Sequence, residues 1–184
     1  MAASHLIVGG ARSGKSRYAV SVQPERTRVA FVATATVSDA DMAARIARHQ
    51  AERPRGWLTV EAHEALVAAL RGLHGRVDAV IVDCLTLWVA NLLLRGDADQ
   101  AILGQADELT TFISQAPYGL TIVTNEVGEG VHPETADGLR FRDLLGLVNQ
   151  RVAAVCQRLT LMVAGVPLPI KTPTDRYDVA HQTP

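Results

Sequence analysis

Gly9-Gly10-Ala11-Arg12-Ser13-Gly14-Lys15-Ser16 matches G-x-x-x-x-G-K-[ST], a spacing that cradles nucleotide phosphates. Glycines let the backbone turn tightly and bring its N–H groups against an anion. A helix starting at Lys15 would add unsatisfied N–H groups and a positive dipole end. Lys15 is expected to act catalytically on the β- and γ-phosphates, and the Ser16 hydroxyl to ligate Mg²⁺. A second metal candidate is Asp83, which ends the apolar run Ala79–Val82. In P-loop proteins such an acid holds Mg²⁺; otherwise it caps the next segment. Thr34, Ala35 and Thr36 follow another apolar run and either line the nucleotide site or form an ordinary loop. Thr124, Asn125 and Glu126 stand in the same kind of position, where open α/β sheets bind ligands and where a simple Asx turn would also fit.

A helix is expected over Ser38–Arg53. Ser38 and Asp41 resemble a capping box, and Pro54 is a stop. Met42, Ile46, His49 and Arg53 share one face, Arg45 and Arg48 lie on adjacent faces, and Glu52 can pair with Arg48. Spacing alone favours a packed histidine on an amphipathic helix with a solvated basic face.

These residues need a frame that brings strand ends together. Candidate strands are Leu6–Val8, Val29–Ala33, Leu58–Val60, Ala79–Val82, Leu120–Val123 and Leu161–Ala164, with another near Leu168–Ile170. Several are continuous apolar runs, as in strands covered on both faces. Helices are expected at Lys15–Val22, Glu64–Leu70, Leu85–Leu94, Ala101–Ser114 and Phe141–Leu159. The last places Phe141, Leu144, Leu145, Val148, Val152, Val155 and Leu159 on one core face. The alternation argues for a doubly wound α/β architecture. Residues 1–171 form one expected domain, and 172–184, with Pro173 and Pro184, an expected loose tail.

The totals narrow the classes. A chain of 184 residues with 48% hydrophobic and 20% charged residues is sized for one globular domain. A net charge of −1 gives no support for bulk binding to nucleic acid or a membrane surface. Cys84 and Cys156 sit in apolar runs and suggest a reducing compartment, not a disulfide framework. With no signal-peptide pattern and no spanning apolar run, the expected location is the cytoplasm. A guanine-reading GTPase would be expected to show N-K-x-D after a strand, and this chain does not. A helicase or strand-exchange ATPase would be longer and more basic along a DNA path.

Taken together, the motifs resemble one family: the bifunctional adenosylcobinamide kinase/adenosylcobinamide-phosphate guanylyltransferases of late cobalamin assembly. The segments that carry the resemblance are G-G-A-R-S-G-K-S-R at 9–17, A-T-A-T at 33–36, D-M-A-A-R-I-A-R-H-Q-A-E-R-P at 41–54 and W-x-T-V-E at 57–61. D-C-L-T at 83–86, T-N-E-V-G at 124–128 and V-N-Q-R at 148–151 complete it. With it, the expected fold class is α/β: a P-loop NTPase-type, mostly parallel sheet flanked by helices on both faces, RecA-like.

The resemblance implies two reactions. A nucleoside triphosphate, ATP or GTP, phosphorylates the aminopropanol hydroxyl of adenosylcobinamide. GTP then donates GMP to that phosphate through a guanylylated histidine. Some relatives carry two adjacent histidines at this place; here the pair is Arg48-His49, so the role falls to His49. It also implies that Gln50, Ala51, Glu52, Arg53 and Glu61 help bind guanine nucleotide, and that Asp83 lies at the metal or nucleotide site. The implied partners are the corrinoid substrate and two further copies of the chain in a homotrimer. A plain P-loop small-molecule kinase and a nucleotide-dependent regulatory protein remain the alternatives.

Overall fold

The structure is a computed structural model and describes residues 3–25, 27–36, 50 and 53–174. Among the described residues seven strands form one sheet: β1 (Ser4–Gly9), β2 (Val29–Ala33), β3 (Leu58–Glu61), β4 (Ala79–Asp83), β5 (Gly119–Asn125), β6 (Arg158–Val163) and β7 (Val166–Lys171). Their order across the sheet is β3-β2-β4-β5-β1-β6-β7. All neighbours pair in parallel except β6 and β7, which are antiparallel. The first six strands therefore end on one edge.

Among the described residues the helices are α1 (Lys15–Ser21), α2 (Leu66–Arg71), α3 (Leu85–Arg95), α4 (Asp99–Ser114) and α5 (Ala136–Val155). Val80, Ile81 and Val82 are all fully buried, because helices cover both faces of their strand. Val80 and Val82 join a core with Leu66, Trp88, Leu109 and Leu145, drawn from α2, α3, α4 and α5. Ile81 joins Ile7, Val123 and Met162 beneath Ala19 of α1 on the other face. The expected doubly covered, mostly parallel sheet is thus what forms.

Both ends of the last helix differ from the apolar periodicity, and the strand expected at Leu161–Ala164 runs Arg158–Val163. The last helix begins at Ala136, because Thr135 caps it, its hydroxyl accepting the Gly138 N–H at 3.1 Å. It ends at Val155, and Leu159 belongs to β6. Leu159 still packs against the helical core, so its apolar character fitted both periods. Lys171 closes this end by donating to the carbonyls of Ala153 and Ala154 at 3.0 and 3.1 Å, where the helix dipole is negative. The helix expected over Ser38–Arg53 falls almost wholly outside the described residues, as do tail residues 175–184. Gln50 has helical backbone and is exposed.

Candidate active site

Gly9 ends β1 where the chain has no room for a side chain. A Cβ there would stand 2.5 Å from the Met162 carbonyl oxygen and 2.9 Å from Ser13 Oγ. Gly10, Ala11 and Arg12 make the turn, Arg12 with a left-handed φ of 57°. Gly14 is the N-cap of α1 at φ 93°, a conformation that favours glycine. Its carbonyl accepts the Tyr18 N–H at 2.9 Å and so starts the helix. Lys15 is buried, and its ammonium bends back over the loop, donating to the Gly10 carbonyl at 2.6 Å and approaching Ser13 Oγ at 3.4 Å. A buried cation at this position would neutralise phosphate charge. Ser16 follows in the first turn, half-buried.

The loop also has a support that its motif does not contain. The β6–β7 turn leans on it: Gly165 N–H donates to the Ser13 carbonyl at 3.0 Å, and the Gly165 Cα lies 3.5 Å from where a Gly14 Cβ would be.

Asp83 ends β4, half-buried, and the Asp83–Cys84 peptide is cis. Alternation along β4 puts Asp83 on the face of Ala79 and Ile81, which is the α1 face. Asp83 and Ser16 therefore offer two hard oxygen donors on the same side of the sheet.

Thr34 is fully buried, and its hydroxyl is engaged with the Cys84 backbone at 2.7 and 2.8 Å. Ala35 is half-buried and Thr36 exposed. Arg53 lies 3.6 Å above the Phe31 ring centroid and donates to Thr59 Oγ1 at 3.1 Å. Burial lowers its pKa, while the Asp83 carboxylate pulls the other way. Its Nε is buried without a hydrogen-bond partner among the described residues. Glu61 is exposed at the end of β3, 3.8 Å from His63 Nε2. His49, Ala51 and Glu52 lie outside the described residues.

Three further polar residues set this edge: Asn91 belongs to no motif above, while Thr86 and Asn149 lie in the segments 83–86 and 148–151. Asn91 of α3 donates to the Thr34 carbonyl at 2.8 Å and the His63 carbonyl at 2.9 Å, tying the chain after β2 to the chain after β3. Thr86 accepts the Asn125 N–H at 2.8 Å. Asn149 of α5 accepts from Thr124 Oγ1 at 2.7 Å and donates to the Asn125 carbonyl at 3.0 Å.

A parallel sheet with a glycine loop between β1 and α1, and an acid at a nearby strand end, defines a P-loop nucleotide-binding protein. Solved structures agree at the level of fold. A prototypical ATPase from a type III secretion system superposes with a TM-score of 0.52 at 11% identity, over 86% of this chain and 50% of that one. A Pyrococcus horikoshii OT3 protein does so with 0.55 at 10%, over 94% and 88%.

Sequence comparison is narrower: the chain belongs to the cobinamide kinase / cobinamide phosphate guanyltransferase family, whose model matches residues 5–170. It is 42% identical to the bifunctional adenosylcobalamin biosynthesis protein CobP of Pseudomonas aeruginosa, over 90% of this chain and 96% of that protein. It is 37% identical to the bifunctional protein CobU of Escherichia coli K12, over 90% and 98%. The chain is thus a bifunctional enzyme that uses nucleoside triphosphates, as its motifs implied.

Proposed function

We propose that one phosphate cradle, Gly9–Ser16, serves both reactions, with His49 as the nucleophile of the second. In the first, the aminopropanol oxygen of adenosylcobinamide bonds to the γ-phosphorus of ATP or GTP. The bond to the β,γ-bridging oxygen breaks, the nucleoside diphosphate leaves, and the hydroxyl proton passes to water. In the second, an imidazole nitrogen of His49 bonds to the α-phosphorus of GTP and pyrophosphate leaves. A phosphate oxygen of adenosylcobinamide phosphate then attacks that phosphorus. The phosphorus–nitrogen bond breaks, giving adenosylcobinamide-GDP and free His49.

The observation that carries the cradle is the Lys15 ammonium, buried and held over the loop at Gly10. The His49 role rests on the family resemblance and on the competence of neutral imidazole as a nucleophile near pH 7. Arg45, Arg48 and Arg53 would stabilise charge on the transferring group and keep His49 unprotonated. Gln50, Ala51, Glu52, Arg53 and Glu61 would surround the guanine nucleotide. Ser16 and Asp83 suit Mg²⁺, which takes one or two protein oxygens beside substrate phosphates and keeps several waters. When bound, it would neutralise charge on the phosphate oxygens.

We place the enzyme as a homotrimer in the cytoplasm. Exposed Val163, Val166, Leu168 and Ile170 on the β6–β7 edge support association, and the free, buried Cys84 and Cys156 suit a reducing compartment.

The test uses GTP labelled at the α-phosphate. Wild-type protein should retain acid-labile label, and His49→Ala should lose it while still phosphorylating adenosylcobinamide. Label persisting in His49→Ala would show that another residue is the nucleophile.

A further inference from the structure

Strand β5 lies between the P-loop strand and the Asp83 strand, and its end is held with unusual completeness. Asn125 N–H is bound by Thr86, its carbonyl by Asn149, and the next N–H, of Glu126, by the Gly9 carbonyl at 3.1 Å. The neighbouring side chains are occupied. Thr124 is turned to Asn149, and Glu126 Oε1 accepts the N–H of its own Gly128 at 2.7 Å. No hydrogen bond among the described residues ties the Asn125 carboxamide to the sheet.

Strand alternation says where that carboxamide goes. Leu120 and Ile122 enter the core under α2–α5, and Thr124 meets α5. Val123 lies under α1, and Thr121 Oγ1 accepts from Gln23, just past α1, at 3.0 Å. Asn125 shares the face of Thr121 and Val123, which is also the face of Asp83 and Lys15. In register, Gly9 is opposite Asn125, while Asp83 is opposite Val123. Asn125 therefore reaches about two residues, roughly 7 Å, beyond Asp83 along the strand direction. It stands beside the loop that would hold the triphosphate.

We propose that Asn125 is a catalytic residue of the kinase reaction, its carboxamide donating a hydrogen bond to the γ-phosphoryl group as it transfers and not to the resting triphosphate, and that Thr86 and Asn149 are its positioning residues. A carboxamide neither takes nor gives up a proton at neutral pH, so its contribution is a fixed dipole aimed where charge shifts as the γ-phosphoryl group moves from the β,γ-bridging oxygen to the alcohol. Fixing both backbone polar groups of Asn125 means little reorganisation is needed at the moment of transfer. The inference rests on the P-loop holding the triphosphate in both reactions. It adds that the two reactions differ at this point, because guanylyl transfer breaks a bond at the α-phosphorus, further from the strand end.

The experiment measures steady-state phosphorylation of adenosylcobinamide, nucleotide KM, and the rate of guanylyl-label formation in the same preparations. Asn125→Ala should lower kcat for phosphorylation by about 100-fold, the usual effect of removing one preorganised donor. Nucleotide KM and the labelling rate should stay within about threefold. Thr86→Val should lower the same kcat by about tenfold, and Thr86→Ser, which keeps the hydroxyl acceptor, should restore it. The proposal is overturned by a loss below about tenfold in Asn125→Ala, by an equal loss in both reactions, or by a Thr86→Ser no better than Thr86→Val. Lys15→Ala separates the underlying assumption: if it retains both activities, the cradle assignment fails, whatever Asn125 does.

Discussion

Thr34 and Cys84 exchange a reciprocal pair of hydrogen bonds, Thr34 Oγ1 donating to the Cys84 carbonyl at 2.7 Å and accepting the Cys84 N–H at 2.8 Å. The pair is buried at the adjacent ends of β2 and β4, and the Thr34 N–H donates to the Asp83 carbonyl at 3.1 Å. Thr34 thus fixes the backbone on both sides of the Asp83–Cys84 peptide, and with it the direction of the Asp83 carboxylate. Thr34→Val keeps the shape and leaves the buried Cys84 N–H without its partner, while the Cys84 carbonyl keeps the Trp88 N–H at 3.2 Å. It should cost about 1–3 kcal/mol in urea unfolding and lower kcat in both reactions, while Thr34→Ser recovers most of each.

Gly9→Ala tests the loop from below. The new methyl would sit 2.5 Å from a backbone oxygen, which cannot rotate away as a side chain could. Overpacking of this kind costs about 1–3 kcal/mol, so the variant should melt earlier. It should also bind nucleotide more weakly in calorimetry, because relief of the clash moves β1 away from β6.

Stability should fall on mild acidification through His5. Its ring is largely buried, 2.8 Å from Thr160 Oγ1 and edge-on to Tyr18, with Arg158 as the nearby charge. Burial, and then Arg158, lower its pKa to about 4 from 6.5. Below pH 6.5 the unfolded chain binds a proton that the folded chain refuses, so stability is complete above that pH and declines as pH falls toward 4. Asp78, held at about 2 from 3.8 by hydrogen bonds from Arg28, adds a separate loss only between those values. Urea titrations from pH 7 to 4 should show the first decline in the wild type and a flatter profile in His5→Gln.

Lys171→Met should destabilise the protein by about 1 kcal/mol, because it removes a cation from the last carbonyls of α5. Melting curves at low and high salt would check it: the deficit should shrink as salt screens the charge–dipole part.

Some of this enzyme was legible from the chain alone. Gly9–Ser16, the apolar run into Asp83 and the parallel-sheet pattern all rest on neighbours in sequence, where spacing is geometry. The family followed from motifs whose joint order is specific even though each is short. Even the wrong boundary at Leu159 came from a local ambiguity, one apolar residue that satisfied two periods.

What only the tertiary structure decided is which polar groups meet across the sheet. By its place in the chain Thr34 fits a site residue or a loop residue equally; that its hydroxyl binds Cys84, fifty positions away, is a tertiary fact. Asn91 lies in a helix where spacing marks only a face, Thr86 and Asn149 lie in family segments that do not name their partners, and Gly165 reaches the P-loop through a turn that carries no motif. Hydrogen bonds form between atoms, and the sequence orders those atoms along one line. The strand order β4-β5-β1 is what brings Asp83, Asn125 and Gly9 to the same edge.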